Sequence, residues 1–384
     1  MNEAQFTTNS PPTFFQQNLV YTGQGLPPAQ FGVNTLPIVS VPAISTSYVT
    51  PPGTNQELRG RKPREYMWNF SIQKSIARDW LFEVAYVGAQ SRLLSKRYNS
   101  DAPAVAGTLY NVVPNSEIFP NMAGMLYSSE SGKANYNALN TKLERRFENG
   151  FSVLLAYSWS HSIDNDSGDS SGSPNLNPAN FQLDKGSSDF DIRHRVVASI
   201  IYELPFGQGK QLFGTASGRL NQIIGGWQLN LIPTFQSGVS RTVSSPNTST
   251  IAYISQHANA TGISPDSSFM LNGQTITPGQ GFSGNNTSLY WFNPNAFSVA
   301  APLTFGTSGR DIIASPGFAN WDASLFKAFA IREGMTLTFR AEIFDTFNQV
   351  RFDPPNLDSS SPFFGQIQSA EQPRIIQLGL RLQF

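Results

Sequence analysis

The chain has 384 residues, and its 26 Lys and Arg balance 26 Asp and Glu, so the formal net charge is zero. A neutral chain has no field that gathers nucleic acid, and we expect no nucleic-acid partner. The absence of Cys excludes disulfides and thiolate metal sites. No stretch approaches about 18 uninterrupted apolar residues, which excludes a membrane-spanning helix. A transmembrane β-barrel remains open, because its strands alternate apolar and polar residues.

Nine segments of the sequence alternate with period two, which indicates β-strands with one apolar and one polar face. In the fourth segment, for example, Phe151, Val153 and Leu155 share one parity. The sixth segment contains Pro233, which lacks the backbone donor that a strand ladder uses. Taken in chain order, the predicted strands lie near 65–74, 80–88, 135–147, 151–160, 191–204, 226–237, 318–329, 335–347 and 374–384.

The gaps between these strands alternate in length. They run to about 5, 46, 3, 30, 21, 80, 5 and 26 residues, so every second gap is the shorter one. Outer-membrane barrels have short periplasmic turns and long outer loops. We therefore predict an all-β fold, an antiparallel up-and-down transmembrane β-barrel segment of about nine strands. This incomplete barrel has long extracellular loops, with tight turns at 77–79, 148–150 and 332–334.

Aromatic residues collect near both ends of the predicted strands, as expected for two girdles at the membrane interfaces. Those on the turn side are Trp80, Phe147, Phe151, Tyr202 and Trp227. Those on the loop side are Tyr66, Trp68, Trp159, Phe235 and Trp321. We therefore expect the apolar parity to face lipid and the polar parity to face a wet lumen. Lys327 has the apolar parity near the turn side, where its amine can snorkel to the interface.

Several runs resemble consecutive barrel strands of TonB-dependent receptors of the Oar-like kind. They are NYNALNTKLERRFENGFSVLLAYSWSHSID, DIRHRVVASIIYELPFGQGK, GGWQLNLIPTFQSG, FGTSGRDIIASPGFANWDASLFKAF and PRIIQLGLRLQF. The resemblance implies an outer-membrane location in a Gram-negative-type bacterium and a full barrel of about 22 strands around an N-terminal plug. It also implies that terminal Phe384 belongs to the signal read by the barrel-assembly machinery.

The sequence departs from that family pattern at its beginning. It opens without a signal peptide, a plug or a TonB-contact segment. We therefore interpret residues 64–384 as the C-terminal portion of the receptor barrel and residues 1–63 as an irregular Pro-rich loop region. The expected partners are outer-membrane lipid and the assembly machinery. The TonB complex is reached only through a plug that this chain does not contain.

No catalytic constellation stands out, so we expect neither an enzyme nor a cofactor. His161, His194 and His257 are scattered and have no metal-site spacing. The segment SIDNDSGDSSG places Asp164, Asp166 and Asp169 on one predicted outer loop, and oxygen ligands of this kind suit Ca²⁺. The glycine position and the missing terminal Glu do not fit an EF-hand loop. An ordinary solvated loop is the alternative, and no other metal site is expected.

The polar parity carries a mixed set of charges, six cationic and five anionic. They are Glu83, Lys142, Glu144, Arg146, Arg193, Arg195, Glu203, Asp322, Arg340, Glu342 and Arg381. Mixed charge on neighbouring strands favours cross-strand pairs, while lumen positions also tune selectivity. Our candidates for substrate contact are Arg193, Arg195, Arg340, Glu342 and Asp322.

The leading functional hypothesis is an outer-membrane TonB-dependent receptor fragment whose barrel part binds and admits a bulky solute. One alternative is an autonomous small outer-membrane barrel, either a porin or an adhesin. The other alternative is a soluble all-β carbohydrate-binding module, whose apolar parity would form a buried core. Siderophores, cobalamin, glycans and peptides all remain possible solutes.

Overall fold

The computed structural model describes residues 54–56, 60–99, 126–168, 180–246, 256–280, 289–302 and 304–384. Nine long strands dominate it, and short strands lie between them. In chain order the strands are β1 Thr54–Gln56, β2 Arg64–Ala77, β3 Trp80–Asn99, β4 Leu126–Glu148, β5 Phe151–Asp164, β6 Gly186–Ser187, β7 His194–Glu203, β8 Trp227–Gln236, β9 Ser240–Arg241, β10 Asn259–Ala260, β11 Phe269–Leu271, β12 Gln274–Ile276, β13 Leu289–Tyr290, β14 Phe297–Ser298, β15 Ile313–Ala314, β16 Phe318–Arg332, β17 Met335–Phe344, β18 Gln366–Ile367 and β19 Ile375–Gln383. One short helix, α1 Gly218–Ile224, and a 3₁₀ turn at Pro294–Ala296 accompany them.

The nine long strands pair in the order β2-β3-β4-β5-β7-β8-β16-β17-β19. Every pairing along this path is antiparallel, so the sheet is an up-and-down meander. All nine predicted strands are confirmed. Within the described ranges the edge strands β2 and β19 do not pair with each other, and the sheet stays open. Residues 1–53 and 57–59 lie outside the described part, while β1 pairs in parallel with the start of β4.

The tight turns lie where the short gaps predict them. Asn149 and Gly150 join β4 to β5 with φ values of 52° and 78°. Two positive φ angles define the type I′ turn, whose twist suits a hairpin and which favours Asn-Gly. The turn between β16 and β17 is of another type, because only Gly334 of its two residues has a positive φ, at 74°. Three of the four predicted short connections are therefore hairpin turns, and the fourth contains α1.

The strand register sorts the side chains into two faces, as the alternation predicts. One row on the apolar side runs through Leu378, Ala341, Leu325, Leu229 and Tyr202. We call the side that carries this row the outer face and the opposite side the lumen face. On the outer face Leu378 is 67% exposed and Leu380 is 72% exposed. These side chains are not packed into a core, which a soluble sandwich requires of its apolar parity.

The lumen face carries the polar row that the alternation predicts. Gln377 is opposite Glu342, which is opposite Ser324, and Ser324 is opposite Asn230. Pro233 does not end its strand, because β8 continues to Gln236. The ladder from β7 to β8 is instead interrupted beside Pro233, between the paired positions of Thr234 and Leu231. The missing N–H of proline is thus accommodated by a local gap in one ladder.

The outer loops are not irregular where the structure describes them. We call residues 238–246, 256–280, 289–302, 304–317 and 345–374 the loop subdomain. Four short antiparallel pairs build it, namely β9 with β15, β10 with β14, β11 with β12 and β13 with β18. Its core consists of Val243, Ala258, Phe292, Ala296, Phe297, Ile313 and Phe364. Edge-to-face ring contacts join Phe292 to Phe364 and Phe297 at 5.1 and 5.8 Å.

Among the described residues no helix has the length and apolar character needed to cross a membrane.

Candidate ligand-binding surface

Two of the predicted contact residues lie together on the lumen face. Arg340 and Glu342, with Gln377 and Arg381, line a cavity of about 240 Å³ between β17 and β19. The Arg340 guanidinium lies 5.0 Å from the centre of the Phe326 ring on the next strand. Such stacking holds the guanidinium plane while its edge stays free to donate hydrogen bonds. The arrangement offers a cation, a carboxylate and an amide to one polar ligand group.

The two arginines near the start of β7 have different surroundings. Arg195 is exposed on the lumen face, between Ser158 and Gln236 in the sheet register. Arg193 precedes the strand, and its Nη2 lies 3.5 Å from Asp191 Oδ2. It also donates to His161 Nε2 at 3.4 Å. Arg195 therefore belongs to the open lumen wall, whereas Arg193 supports the junction between β5 and the loop before β7.

Asp322 has a structural partner. Its Oδ1 accepts a hydrogen bond of 3.0 Å from the backbone N–H of Asp345, directly after β17. Asp345 is buried and has a φ of 53°, a conformation that side-chain hydrogen bonding helps an Asp to adopt. Its Oδ1 accepts from the Gln349 N–H at 3.0 Å. Asp322 thus fixes the start of the loop that follows β17, beside its predicted place on the lumen face.

A buried ionic network ties the loop subdomain to the barrel strands. Arg310 is at its centre, with Nη1 2.5 Å from Asp164 Oδ1 and Nη2 3.0 Å from Asp189 Oδ1. Arg310 Nη2 also donates to Ser167 Oγ at 2.6 Å. Its Nε lies 3.2 Å from Asp311 Oδ2, close enough for an ion pair. Only 10% of the Arg310 side chain is exposed, so these contacts are little screened by water.

Lys96 forms a second buried ion pair nearby. Its amine donates to the carbonyl of Asn165 at 2.5 Å and to Asp184 Oδ2 at 3.1 Å. The side chain is fully buried, at 0% exposure. A buried ammonium needs such partners, because desolvation without them is expensive. Together, Lys96 and Arg310 hold the segment around 180–191 against the strand ends.

Two carboxyl groups in this region titrate close to neutrality. Burial, followed by a hydrogen bond with Asp189, raises the pKa of Asp311 to about 7. Burial likewise raises the pKa of Asp166 to about 6. In both cases the low-dielectric surroundings disfavour the charged form. Protonation of these two groups therefore increases the stability of the folded loops.

The predicted calcium ligands have other partners here. Asp164 is paired with Arg310, which supplies the positive charge that a metal ion would bring. Asp166 Oδ1 accepts from the Gly168 N–H at 3.0 Å in a local turn. Asp169 lies outside the described residues. Across the described ranges no three His or carboxylate side chains are grouped as metal ligands.

Arg310 and Lys96 are the residues that sequence reasoning missed. Arg310 lies 146 residues from Asp164, and Lys96 lies 88 residues from Asp184. No period or spacing rule connects positions so far apart. A signal exists only in composition, since a run with Asp164, Asp166, Asp184, Asp189 and Asp191 needs compensating cations when it is buried.

The membrane-facing features agree with the predicted girdles. On the turn side the rings of Phe151 and Tyr202 lie 6.1 Å apart, and on the loop side those of Phe235 and Trp321 lie 5.6 Å apart. Lys327 differs from the prediction: instead of reaching the interface its side chain is buried, and its amine donates to the carbonyl of Gly225 at the turn side. Phe384 follows β19 and is 93% exposed.

This fold, with an apolar outer face, a polar lumen face and asymmetric connections, defines the wall of an outer-membrane β-barrel. The chain belongs to the outer membrane beta barrel domain family, whose sequence profile matches residues 1–377. Its location is accordingly the outer membrane of a Gram-negative-type bacterium, with lipid at the outer face. A search of curated proteins finds no match.

Solved structures similar to this chain include outer-membrane transporters and receptors. The outer membrane transporter YddB of Escherichia coli is 9% identical, with a TM-score of 0.43 over 88% of this chain and 34% of that chain. The ferripyoverdine receptor of Pseudomonas aeruginosa is 10% identical, with a TM-score of 0.38 over 83% and 27%. The ferric yersiniabactin uptake receptor FyuA of Yersinia pestis is 10% identical, with a TM-score of 0.37 over 83% and 30%. This chain spans about a third or less of each of them.

Proposed function

We propose that this chain is the C-terminal barrel part of a TonB-dependent receptor that binds a bulky solute and admits it across the outer membrane. The binding surface consists of the lumen wall around Arg340 and Glu342, the exposed Arg195, and the loop subdomain above them. No bond is made or broken. Energy comes from the TonB complex through a plug, and insertion depends on the barrel-assembly machinery.

The observation that carries this proposal is the attachment of a folded loop subdomain to the barrel. Its own core and the buried Arg310 network give it a defined shape. A pre-organised surface binds a large ligand with less loss of conformational entropy than a set of mobile loops. A general-diffusion porin needs an open lumen instead. The resemblance of the strand sequences to TonB-dependent receptors supports the same proposal.

Site-specific labelling tests where a solute binds. Single cysteines replace Arg195 or Glu342 on the lumen face, and Leu378→Cys is the matched control on the outer face. A membrane-impermeant maleimide is applied to cells making the full chain, with and without ferric siderophores, cobalamin, oligosaccharides or peptides. A bound solute protects the lumen cysteines, whereas the control cysteine faces lipid and stays unlabelled with or without solute. If no solute in the panel gives protection, the binding surface is wrongly placed.

Energy dependence separates the receptor from the autonomous barrel. Uptake of the protecting solute through the receptor with its plug is measured with and without a protonophore, which collapses the gradient that drives TonB. A TonB-dependent receptor stops accumulating the solute, whereas a porin continues to equilibrate it. Liposome swelling with small sugars provides the second measurement. Rapid swelling together with protonophore-independent uptake would favour the porin and exclude the receptor.

A further inference from the structure

Lys96 and Asp184 form an ion pair that water scarcely reaches. Their side chains are 0% and 7% exposed, and Lys96 Nζ lies 3.1 Å from Asp184 Oδ2. The centre of the Phe181 ring is 4.8 Å from the same nitrogen. Tyr98 packs edge-to-face on Phe181, with the ring centres 5.2 Å apart. An amine and a carboxyl group are thus held in contact beside aromatic rings, where the end of β3 meets the loop before β6.

The pair lies outside the membrane, beyond the loop-side girdle. Gly88 on β3 is opposite Trp68 of that girdle, and Lys96 follows eight residues later. At about 3.3 Å a residue and a tilt of about 45°, Lys96 lies about 19 Å beyond the girdle. The chain contains no Cys, so disulfides cannot strengthen this part of it. A covalent link between its side chains has to use other chemical groups.

Burial disfavours the ammonium form of Lys96. Desolvation lowers the pKa of the amine, and the negative charge of Asp184 offsets this effect only in part. Transfer of one proton from the amine to the Asp184 carboxylate leaves two neutral groups, which avoids the cost of burying two charges. The neutral amine has a lone pair, and the protonated carboxyl group has a hydroxyl that can leave. These are the forms that amide formation requires.

Asp166 is placed to relay protons beside the pair. Each of the Lys96 and Asp166 charges acts on the other group, so the two side chains are neighbours. Burial raises the pKa of Asp166 to about 6, and near neutral pH both its acid and carboxylate forms are therefore populated. A group with such a pKa is well suited to general acid–base catalysis. The Gly168 N–H donates to Asp166 Oδ1 at 3.0 Å and orients the carboxyl group.

We propose that Lys96 and Asp184 are joined by an intramolecular isopeptide bond that forms after the chain folds. The neutral amine attacks Cγ of the protonated Asp184 carboxyl group, and a C–N bond forms while the C=O electron pair moves to oxygen. Asp166 takes a proton from the nitrogen and gives one to the departing hydroxyl. The C–O bond then breaks, the C=O bond is restored and water leaves.

The reaction balances without any further reactant. One ammonium and one carboxylate become one amide and one water molecule, and nothing is oxidised or reduced. Contact between well-oriented groups corresponds to an effective concentration of about 10⁵–10⁸ M, which favours a reaction that is slow between free molecules. Exclusion of water then opposes hydrolysis of the product. The bond joins positions 88 residues apart and fixes the loop before β6 to the projecting end of β3.

Mass spectrometry of the full chain, extracted from outer membranes in detergent, tests the proposal. The intact chain is expected to be lighter by one water molecule than its sequence requires. Trypsin does not cleave after a linked Lys96, so residues 93–97 are expected in one branched peptide with residues 147–185. Lys96→Arg keeps the charge but cannot form this bond, and it is expected to have its full mass. Only linear peptides from both segments of the unchanged chain would overturn the proposal.

The ion pair between Lys210 and Glu203 is the matched control in the same digest. Its atoms are closer, at 2.8 Å, but the side chains are 41% and 38% exposed. Water stabilises both charged forms there, and we expect linear peptides only. A link in this pair as well would show that contact alone suffices and would overturn the argument from burial.

The relay is tested by the rate at which the branched peptide appears after a pulse of synthesis. Asp166→Asn cannot exchange a proton in the same way and is expected to slow linkage about 100-fold, the contribution typical of general acid–base catalysis. Asp266→Asn changes an exposed carboxylate in the loop subdomain and is expected to link at the rate of the unchanged chain. Equal rates in the two variants would overturn the role of Asp166.

Discussion

Replacing Arg310 by glutamine tests whether the ionic network holds the outer loops. The variant keeps some hydrogen bonding but removes the positive charge between Asp164 and Asp311, whose side chains are 3% and 4% exposed. Breaking a buried ion pair by removing one partner costs about 3–5 kcal/mol. Asp189 is 46% exposed, and its pair contributes at most about 1 kcal/mol.

The lower end of that range applies here. With a pKa of about 7, Asp311 is partly protonated at neutral pH. Its ion pair with Arg310 then contributes less free energy, so removing the guanidinium costs less. We expect a local loss of about 3 kcal/mol, which increases the open population more than about a hundredfold. Hydrogen–deuterium exchange reports this directly. The sensitive amides include Ser188, which donates to Ser162, and Ser308, which donates to Ala258.

A matched control uses the ion pair between Arg351 and Glu371, which are 24% and 51% exposed. Exposed pairs contribute about 0–1 kcal/mol, so Arg351→Gln is expected to leave exchange nearly unchanged. Arg310→Lys keeps the charge but lacks the planar guanidinium that contacts several partners at once. Its exchange rates are expected to lie between those of wild type and Arg310→Gln. If Arg310→Gln exchanges like wild type, or if both glutamine variants accelerate exchange equally, the network does not hold the loops.

Three further predictions concern pH, packing and the turn side. Because the pKa of Asp311 is raised from 3.8 to about 7, the closed loops bind a proton that the open loops release. Their stability is highest below about pH 4 and falls as pH rises through 7. In exchange measured from pH 5 to 8, Asp311→Asn removes the part of this dependence near pH 7 and leaves the part that comes from Asp166, whose pKa is about 6. Gly88→Ala places a Cβ 2.3 Å from the Trp68 ring and is expected to destabilise the sheet by about 1–3 kcal/mol in urea titration, whereas Gly379→Ala, with its nearest atom at 4.0 Å, is tolerated. Lys327→Met leaves a buried carbonyl without its donor and is expected to lower stability by about 1–3 kcal/mol, with Lys327→Arg closer to wild type. The pH prediction is contradicted if Asp311→Asn keeps the full pH dependence. The packing prediction is contradicted if the two glycine variants have equal effects, and the turn-side prediction if Lys327→Met is as stable as wild type.

The strands could be predicted because alternation is a local property. The predicted strand at 318–329 is Phe318–Arg332 in the structure, and the one at 374–384 is Ile375–Gln383. The largest error concerns β3, predicted at 80–88 and observed at Trp80–Asn99, and the next concerns β4, predicted at 135–147 and observed at Leu126–Glu148. Its first part, with the run SSESGK, projects beyond the membrane, where both faces are polar. Because no lipid contacts this part of the strand, its sequence does not alternate between apolar and polar residues, although the backbone pairing continues.

The lumen residues were less predictable than the strands. Parity alone places Arg340 and Glu342 on one face, and the structure brings them to the same cavity. Parity also selects Asp322, yet only the fold shows that its carboxylate accepts the Asp345 N–H. A side chain's face depends on its own strand, whereas its partner depends on where a distant loop returns. Pattern analysis therefore finds candidates for contact without separating ligand contacts from structural ones.

The sequence by itself determined the number of strands, their antiparallel order and the side that meets lipid. These follow from period two and from the alternation of short and long connections, both of which act between near neighbours in the chain. Tertiary structure alone decided that the outer loops form a subdomain with a core around Phe292 and that Arg310 ties it to the strands. The reason is physical: burial and ion pairing join residues more than a hundred positions apart, and only the folded chain brings them within reach.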